Sequence, residues 1–169
     1  MTVPLIGQSY RGVEGNSGFL LRQAWQAFGR GMDEALDPNG LSPAQFGALS
    51  VLAREPGVSG AELARGCNTT PQAMNGVLAT LEREGLVERH SHPTHGRILQ
   101  VDLTSKGRRR LEKADPAVRA LEAAIEKEFS AKEMEAVKRW LVATAERLQR
   151  TNASKGPGSS RLSRDGGGA

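Results

Sequence analysis

A single cysteine, Cys67, stands in the 169 residues, which excludes an internal disulfide framework and fits a reducing compartment. A cytoplasmic location is expected. No apolar run approaches the roughly 18 residues of a membrane span. The opening MTVPLIGQSYRGVEGNSG lacks the charged start and long apolar core of a secretory signal, so no membrane association is expected. Arrangements that carry catalysis are also missing. There is no Ser-His-Asp or Cys-His set in matching context, no phosphate-cradling Gly-rich loop after a strand, and no carboxylate pair in an apolar setting. Neither an enzyme nor a cofactor is expected. Charge of one sign is in modest excess only, 23 Lys and Arg against 19 Asp and Glu, for a formal +4. The resulting pI near 9.6 permits a polyanionic partner without requiring one.

Both ends are poor in groups to bury. GVEGNSG before residue 19 and ASKGPGSSRLSRDGGGA after residue 152 are rich in Gly, Ser and Pro, so 1–17 reads as a flexible arm and 152–169 as a disordered tail. Between them, Leu21, Trp25, Phe28, Met32 and Leu36 follow helical spacing until Asp37-Pro38-Asn39-Gly40 breaks the pattern. A second helix opens at SPAQ, with Ser42 as cap, Pro43 at the first helical position and Gln45 completing a capping box; it buries Phe46, Leu49 and Leu52. SGAE (Ser59, Glu62) boxes a short third helix, Gly66-Cys67-Asn68 forms a turn, and Thr70-Pro71 starts a fourth helix. That helix carries Met74, Val77, Leu78 and Leu81 and stops at Gly85.

The period then changes to two. LVERHSH and ILQVDL flank a turn at PTHG, with Leu99, Val101 and Leu103 on one face of a two-stranded hairpin. Helix returns from Thr104, carrying Leu111, Val118, Leu121, Ile125 and Phe129, with Pro116 marking a kink or a break. Ser130 and Glu133 box a last helix bearing Met134, Val137, Leu141, Ala145 and Leu148. The long apolar stripes of the first and closing helices exceed what the short middle can cover. They meet either a second copy of the chain or one another.

The fold class is therefore mainly α with a small β-hairpin wing: a winged helix-turn-helix core plus N- and C-terminal helices. In such a unit the second helix enters the major groove, and its first turn here offers Thr69, Thr70, Gln72 and Asn75. Gln and Asn suit adenine edges, while Thr suits a phosphate or a thymine methyl. The bland alternative is that Thr70 is only a cap, and Gln72 and Asn75 only solvated surface. The helix has no Lys or Arg before Arg83. The hairpin supplies that charge through Arg89 and Arg97, which flank its turn, and an Arg at the tip can enter the narrow minor groove. Lys106, Arg108, Arg109 and Arg110 follow, either as a solvated face or as phosphate contacts.

The order helix, LSPAQFGALSVL, short helix, TTPQAMNGVLATLEREGLVER, hairpin, VDLTSKGRRRL and two closing helices resembles the multiple antibiotic resistance regulator (MarR) family of winged helix-turn-helix repressors over roughly 18–150. LATLEREGLVER (Leu78 to Arg89) and LTSKGRRRL (Leu103 to Leu111) are its most specific pieces. The resemblance implies one domain over 18–151, with dimerisation helices at 18–37 and 105–151 around a winged helix-turn-helix at 42–104. It also implies an obligate homodimer on a pseudo-palindromic double-stranded operator, modulated by small ligands or oxidants bound in a crevice. Trp25, Phe28 and Met32 are candidates to line that crevice for a hydrophobic or aromatic effector, or else plain packing residues. One departure is that His95 stands where the family carries an Asp two residues before the tip Arg, so Arg97 loses a charge-assisted partner. Titration of His95 would then make binding sensitive to pH.

His90, His92 and His95 are weak metal candidates: His-x-His is a workable pair on a strand, but exposed histidines in a hairpin are more often ordinary polar residues. Cys67, in the turn before the reading helix, is either a half-buried packing residue or a redox switch near a helix N-terminus. Besides regulators switched by metal or by oxidation, a winged-helix module that binds protein rather than DNA remains a competing class.

Overall fold

Capping chemistry sets where the middle helices begin. In the computed structural model, which describes residues 3–91 and 99–154, α1 spans Ser17–Leu36 and α2 spans Pro43–Arg54. Ser42 Oγ accepts from the Gln45 N–H while Gln45 Oε1 accepts from the Ser42 N–H at 2.8 Å, the reciprocal box expected from SPAQ. The same exchange between Ser59 and Glu62 opens α3, Gly60–Gly66. Thr70 caps α4, Pro71–Arg83, by accepting from the Ala73 N–H at 3.2 Å. At the far end of α4, Gly85 takes φ +67, the left-handed conformation that ends a helix and that only glycine adopts without cost.

The sheet has three strands rather than two. β1, Val58–Ser59, pairs antiparallel with β3, Leu99–Leu103, which pairs in turn with β2, Val87–Ser91; the spatial order is β1-β3-β2. Two-residue β1 lies directly before a capping box, too short for any alternation to show. Asp102 reinforces the added edge, since its Oδ1 accepts the Gly57 N–H at 2.8 Å. Of the expected inward face, Val101 is buried, Leu103 half-buried and Leu99 exposed at the outer end of the strand.

Leu36, Leu49, Leu63, Leu78, Leu81 and Leu86, each fully buried, form the centre of the core, which also takes Met74, Val101, Ala114 and Val118. Each of the Leu, Met and Val side chains contributes roughly 1.5–3 kcal/mol through burial. The last two come from α5, Ser105–Glu126, which runs through Pro116 without a break. Pro116 removes one helix hydrogen bond, but Ala114 and Val118 on either side are held in the core. Pro116 and Glu112, whose carbonyl loses its donor, both lie on the exposed side, where water can serve that carbonyl.

The described part of the N-terminal arm is not featureless. Ser9–Arg11 forms a 3-10 turn, the Arg11 guanidinium donates to Gln23 Oε1 and to the Pro4 carbonyl, and Tyr10 packs edge-on against Phe19. Polar side chains and one aromatic pair order this stretch, so hydrophobic periodicity does not reveal it.

By contact density the chain divides at Ala124/Ile125 into two compact units. The second contains α6, Ala131–Ser154, opened by the expected box of Ser130 and Glu133. Its apolar residues are largely uncovered: Phe129, Val137, Trp140, Leu141, Val142 and Leu148 are all exposed. No described helix is long and apolar enough to cross a membrane.

Candidate nucleic-acid interface

The helix-turn-helix is α3, a turn and α4. The Cys67 N–H donates to the Leu63 carbonyl and the Thr69 N–H to that of Ala64. Asn68, not a glycine, takes the left-handed conformation at φ 51, a position that Asn tolerates because its short side chain can hydrogen-bond locally. This geometry projects the start of α4 outward: Thr69, Thr70, Gln72 and Asn75 are all exposed, while Met74, Leu78 and Leu81 on the opposite face are buried. Gln72 and Asn75, three apart, share one face of the helix.

Thr70 Oγ1 accepts from Ala73, the Thr70 carbonyl takes the Met74 N–H, and Pro71 has none, so the Gln72 N–H is the one donor of the first turn without a partner among the described residues. An N–H at a helix N-terminus favours an anion, in DNA a phosphate. Between and beyond the polar side chains, Ala73, Gly76 and Ala79 are exposed and small, and a Cβ placed on Gly76 would meet nothing within 4 Å. The outer surface of α4 is thus a smooth ridge with a few short polar groups at its leading end, a shape that a groove floor can approach closely. The sequence carried this signal in the spacing of Ala73, Gly76 and Ala79, but without knowing which face is outward they read as filler.

Arg89 stands in the middle of β2, paired in register with Val101, and its guanidinium turns back to Glu82 of α4 at 3.1 Å. A pocket of about 280 Å³ beside it is lined by Ser59, Gly60, Asn75, Leu78, Arg89 and Val101. Arg89 Nε is buried, with no hydrogen-bond partner among the described residues. Arg89 therefore braces the base of the wing against the reading helix rather than extending from the hairpin tip. Arg97 lies outside the described residues, as do His92 and His95. His90 Nε2 lies 3.5 Å from Asp102 Oδ2, and no three His, Cys, Asp or Glu gather into a metal-holding cluster among the described residues.

The basic run divides by role. Lys106 Nζ donates to the Glu84 carbonyl at 2.7 Å and Arg110 to the Asn39 carbonyl at 2.8 Å, so both serve the fold. Arg108 and Arg109 are exposed and remain available for phosphates.

Cys67 is half-buried at the C-terminal end of α3, and burial pushes its thiol pKa up, against the depressed value a thiolate switch needs. Trp25, Phe28 and Met32 do not share one environment: Trp25 is 70% exposed, Phe28 half-buried and Met32 buried in the core. They line neither the pocket at Arg89 nor the open groove of about 780 Å³ in the second unit, whose walls include Phe129, Met134 and Val142.

Comparison with known proteins places this geometry. Residues 39–98 match the model of the MarR family. The HTH-type transcriptional repressor Rv2887 of Mycobacterium tuberculosis is 39% identical over 124 residues, covering 73% of this chain and 89% of that protein. Crystal structures of Rv2887 superpose with a TM-score of 0.61 in complex with salicylic acid, at 37% identity over 77% of this chain and 96% of that one. In complex with DNA the TM-score is again 0.61, at 35% identity over 77% and 98%. A probable transcriptional regulator from Pseudomonas aeruginosa gives a TM-score of 0.72 at 30% identity, over 78% of this chain and 98% of that one. The capped and outward-facing α4, the strands behind it and the similarity along most of the chain converge: this protein belongs to the MarR family of DNA-binding transcriptional regulators.

Proposed function

We propose that the protein is a cytoplasmic, homodimeric repressor that reads a pseudo-palindromic operator and is released by a small aromatic effector. The carrying observation is the exposed leading face of α4, where Thr70, Gln72 and Asn75 surround a helix start over a smooth surface of Ala73 and Gly76. In this reading Gln72 and Asn75 contact base edges, Thr69 and Thr70 contact the backbone, and Arg97 enters the minor groove. Arg89 keeps the wing in register with α4. Dimerisation is supported by apolar surface left open in each unit: Leu21 and Trp25 on α1, and Val137, Trp140, Leu141 and Leu148 on α6. The small-molecule step is supported by a relative solved with salicylic acid. No turnover is assigned to the chain.

Two substitutions test the assignment on operator and on unrelated DNA. Arg97→Ala weakens both by similar factors and lowers the salt slope by about 1, whereas Asn75→Ala costs about 1–3 kcal/mol on the operator alone. Equal losses on both DNAs for Asn75→Ala would sink the base-reading role. No effect of either would favour a protein-binding winged helix.

A further inference from the structure

The turn just after the reading helix, Glu84 to Leu86, is gripped by Thr104 and the first turn of α5. Thr104 Oγ1 donates to the Gly85 carbonyl at 2.7 Å, with the Leu86 carbonyl at 3.2 Å, and itself accepts the Gly107 N–H at 3.0 Å. The Thr104 N–H donates to the Leu86 carbonyl at 3.1 Å, and Lys106 Nζ reaches the Glu84 carbonyl. Gly107 is buried against the same segment so closely that a Cβ there would run into the Leu86 carbonyl oxygen. The turn that follows α4, Glu84 to Leu86, is thus held by three residues at the start of α5: Thr104 just before the helix, and Lys106 and Gly107 in its first turn.

None of these groups lies among the exposed polar residues of α4, and their bonds are spent inside the protein. What they fix is direction. α4 has 13 residues and is about 20 Å long, so a tilt of about 10° at its C-terminal end moves its leading turn by about 3.4 Å. That is about the axial rise of one base pair along a DNA duplex. α5 continues from the clasp to Glu126, so the chain itself leads from this turn into the second unit.

We infer that Thr104, Lys106 and Gly107 are positioning residues that set which half-site spacing the two reading helices of a dimer accept. The inference rests on the dimeric reading given above. The expected mark of the clasp is a sharp dependence on spacing, separate from both affinity and stability.

The test uses the full chain and inverted repeats whose half-sites are moved by −2 to +2 base pairs, with binding and thermal midpoint measured for wild type, Thr104→Val and Lys106→Met. Thr104→Val keeps the shape of the side chain and removes its hydroxyl; Gly107→Ala is the stronger perturbation, and the two milder variants keep the test decisive if it fails to fold. Wild type is expected to prefer one spacing by tenfold or more. The variants are expected to lose at least fivefold of that preference, or to shift it by a base pair, with binding to unrelated DNA unchanged. A wild-type preference that both variants retain, with only a uniform loss of affinity or a lower thermal midpoint, would overturn the proposal alone. A wild type with no spacing preference would overturn the dimeric reading and the proposal with it.

Discussion

Thr70→Ala separates what one hydroxyl does for the fold from what it does for DNA. In the free protein Thr70 Oγ1 accepts the Ala73 N–H at 3.2 Å, with Thr70 in the extended conformation (φ −81, ψ 150) usual for a cap. Removing it leaves that N–H to water and costs about 1 kcal/mol of stability. In a chain of this length a loss of that size lowers the thermal midpoint by about 2–4 °C. The hydroxyl proton is not used by the cap and stays free to donate to a phosphate, a charge-assisted bond worth about 1.5–3 kcal/mol net, or roughly 10- to 150-fold in affinity. Thr70→Ser keeps both oxygen and proton and is expected to restore both quantities. The assays are thermal unfolding at one fixed protein concentration, because a dimer's midpoint depends on it, and DNA binding well below the midpoint. An unchanged midpoint in Thr70→Ala would refute the capping argument. A lowered midpoint with unchanged affinity would confine Thr70 to the fold.

Glu62 supplies a pH test. The Ser59 backbone N–H, and then its hydroxyl, hold the Glu62 carboxyl below its ordinary 4.5, so the folded state favours the carboxylate. That contribution is fully present above the ordinary value and is lost as pH falls through the lowered one. Glu62→Gln should therefore be less stable than wild type near neutrality and converge with it in acid; a gap that widens in acid would contradict the capping box. Burial raises the Cys67 thiol, so alkylation near pH 8 is expected to be slower than for a small free thiol, and mild peroxide should leave DNA binding intact. Loss of binding on oxidation, reversed by reductant, would reinstate the switch. Leu78→Ala empties a fully buried site between α4 and the pocket at Arg89 and should cost about 2–5 kcal/mol in denaturant unfolding; a loss below 1 kcal/mol would mean the core is not packed as described.

Helix starts were the most legible part of this chain, because SPAQ, SGAE and TTPQ declare their caps within four residues and the structure draws the same hydrogen bonds. Features that depend on distant partners were not. β1 has two residues and exists through its pairing with β3 and the Asp102 bond to Gly57, 45 positions away. Pro116 suggested a kink or a break because its local cost is visible in sequence, whereas the burial of Ala114 and Val118 that carries the helix past it is not. Lys106 to Arg110 read as one basic face, yet two of the four are turned to backbone carbonyls. Arg89 looked like a partner of Arg97 at a hairpin tip, but Glu82, seven residues earlier on another element, draws it inward. Of the candidate site, the polar start of α4 followed from helical geometry alone. The smoothness of its outer face became visible only once the buried face was known. Arg97, His92 and His95 fall outside the described residues.

The central claim is that this chain recognises a particular DNA sequence as a two-fold assembly. The most direct measurement is selection of bound sequences from random double-stranded DNA by the purified protein at two salt concentrations, with Arg97→Ala alongside. Enrichment of an inverted repeat whose half-sites lie about 10 base pairs apart, centre to centre, is the predicted result. Weak, salt-sensitive retention with no enriched motif would contradict it.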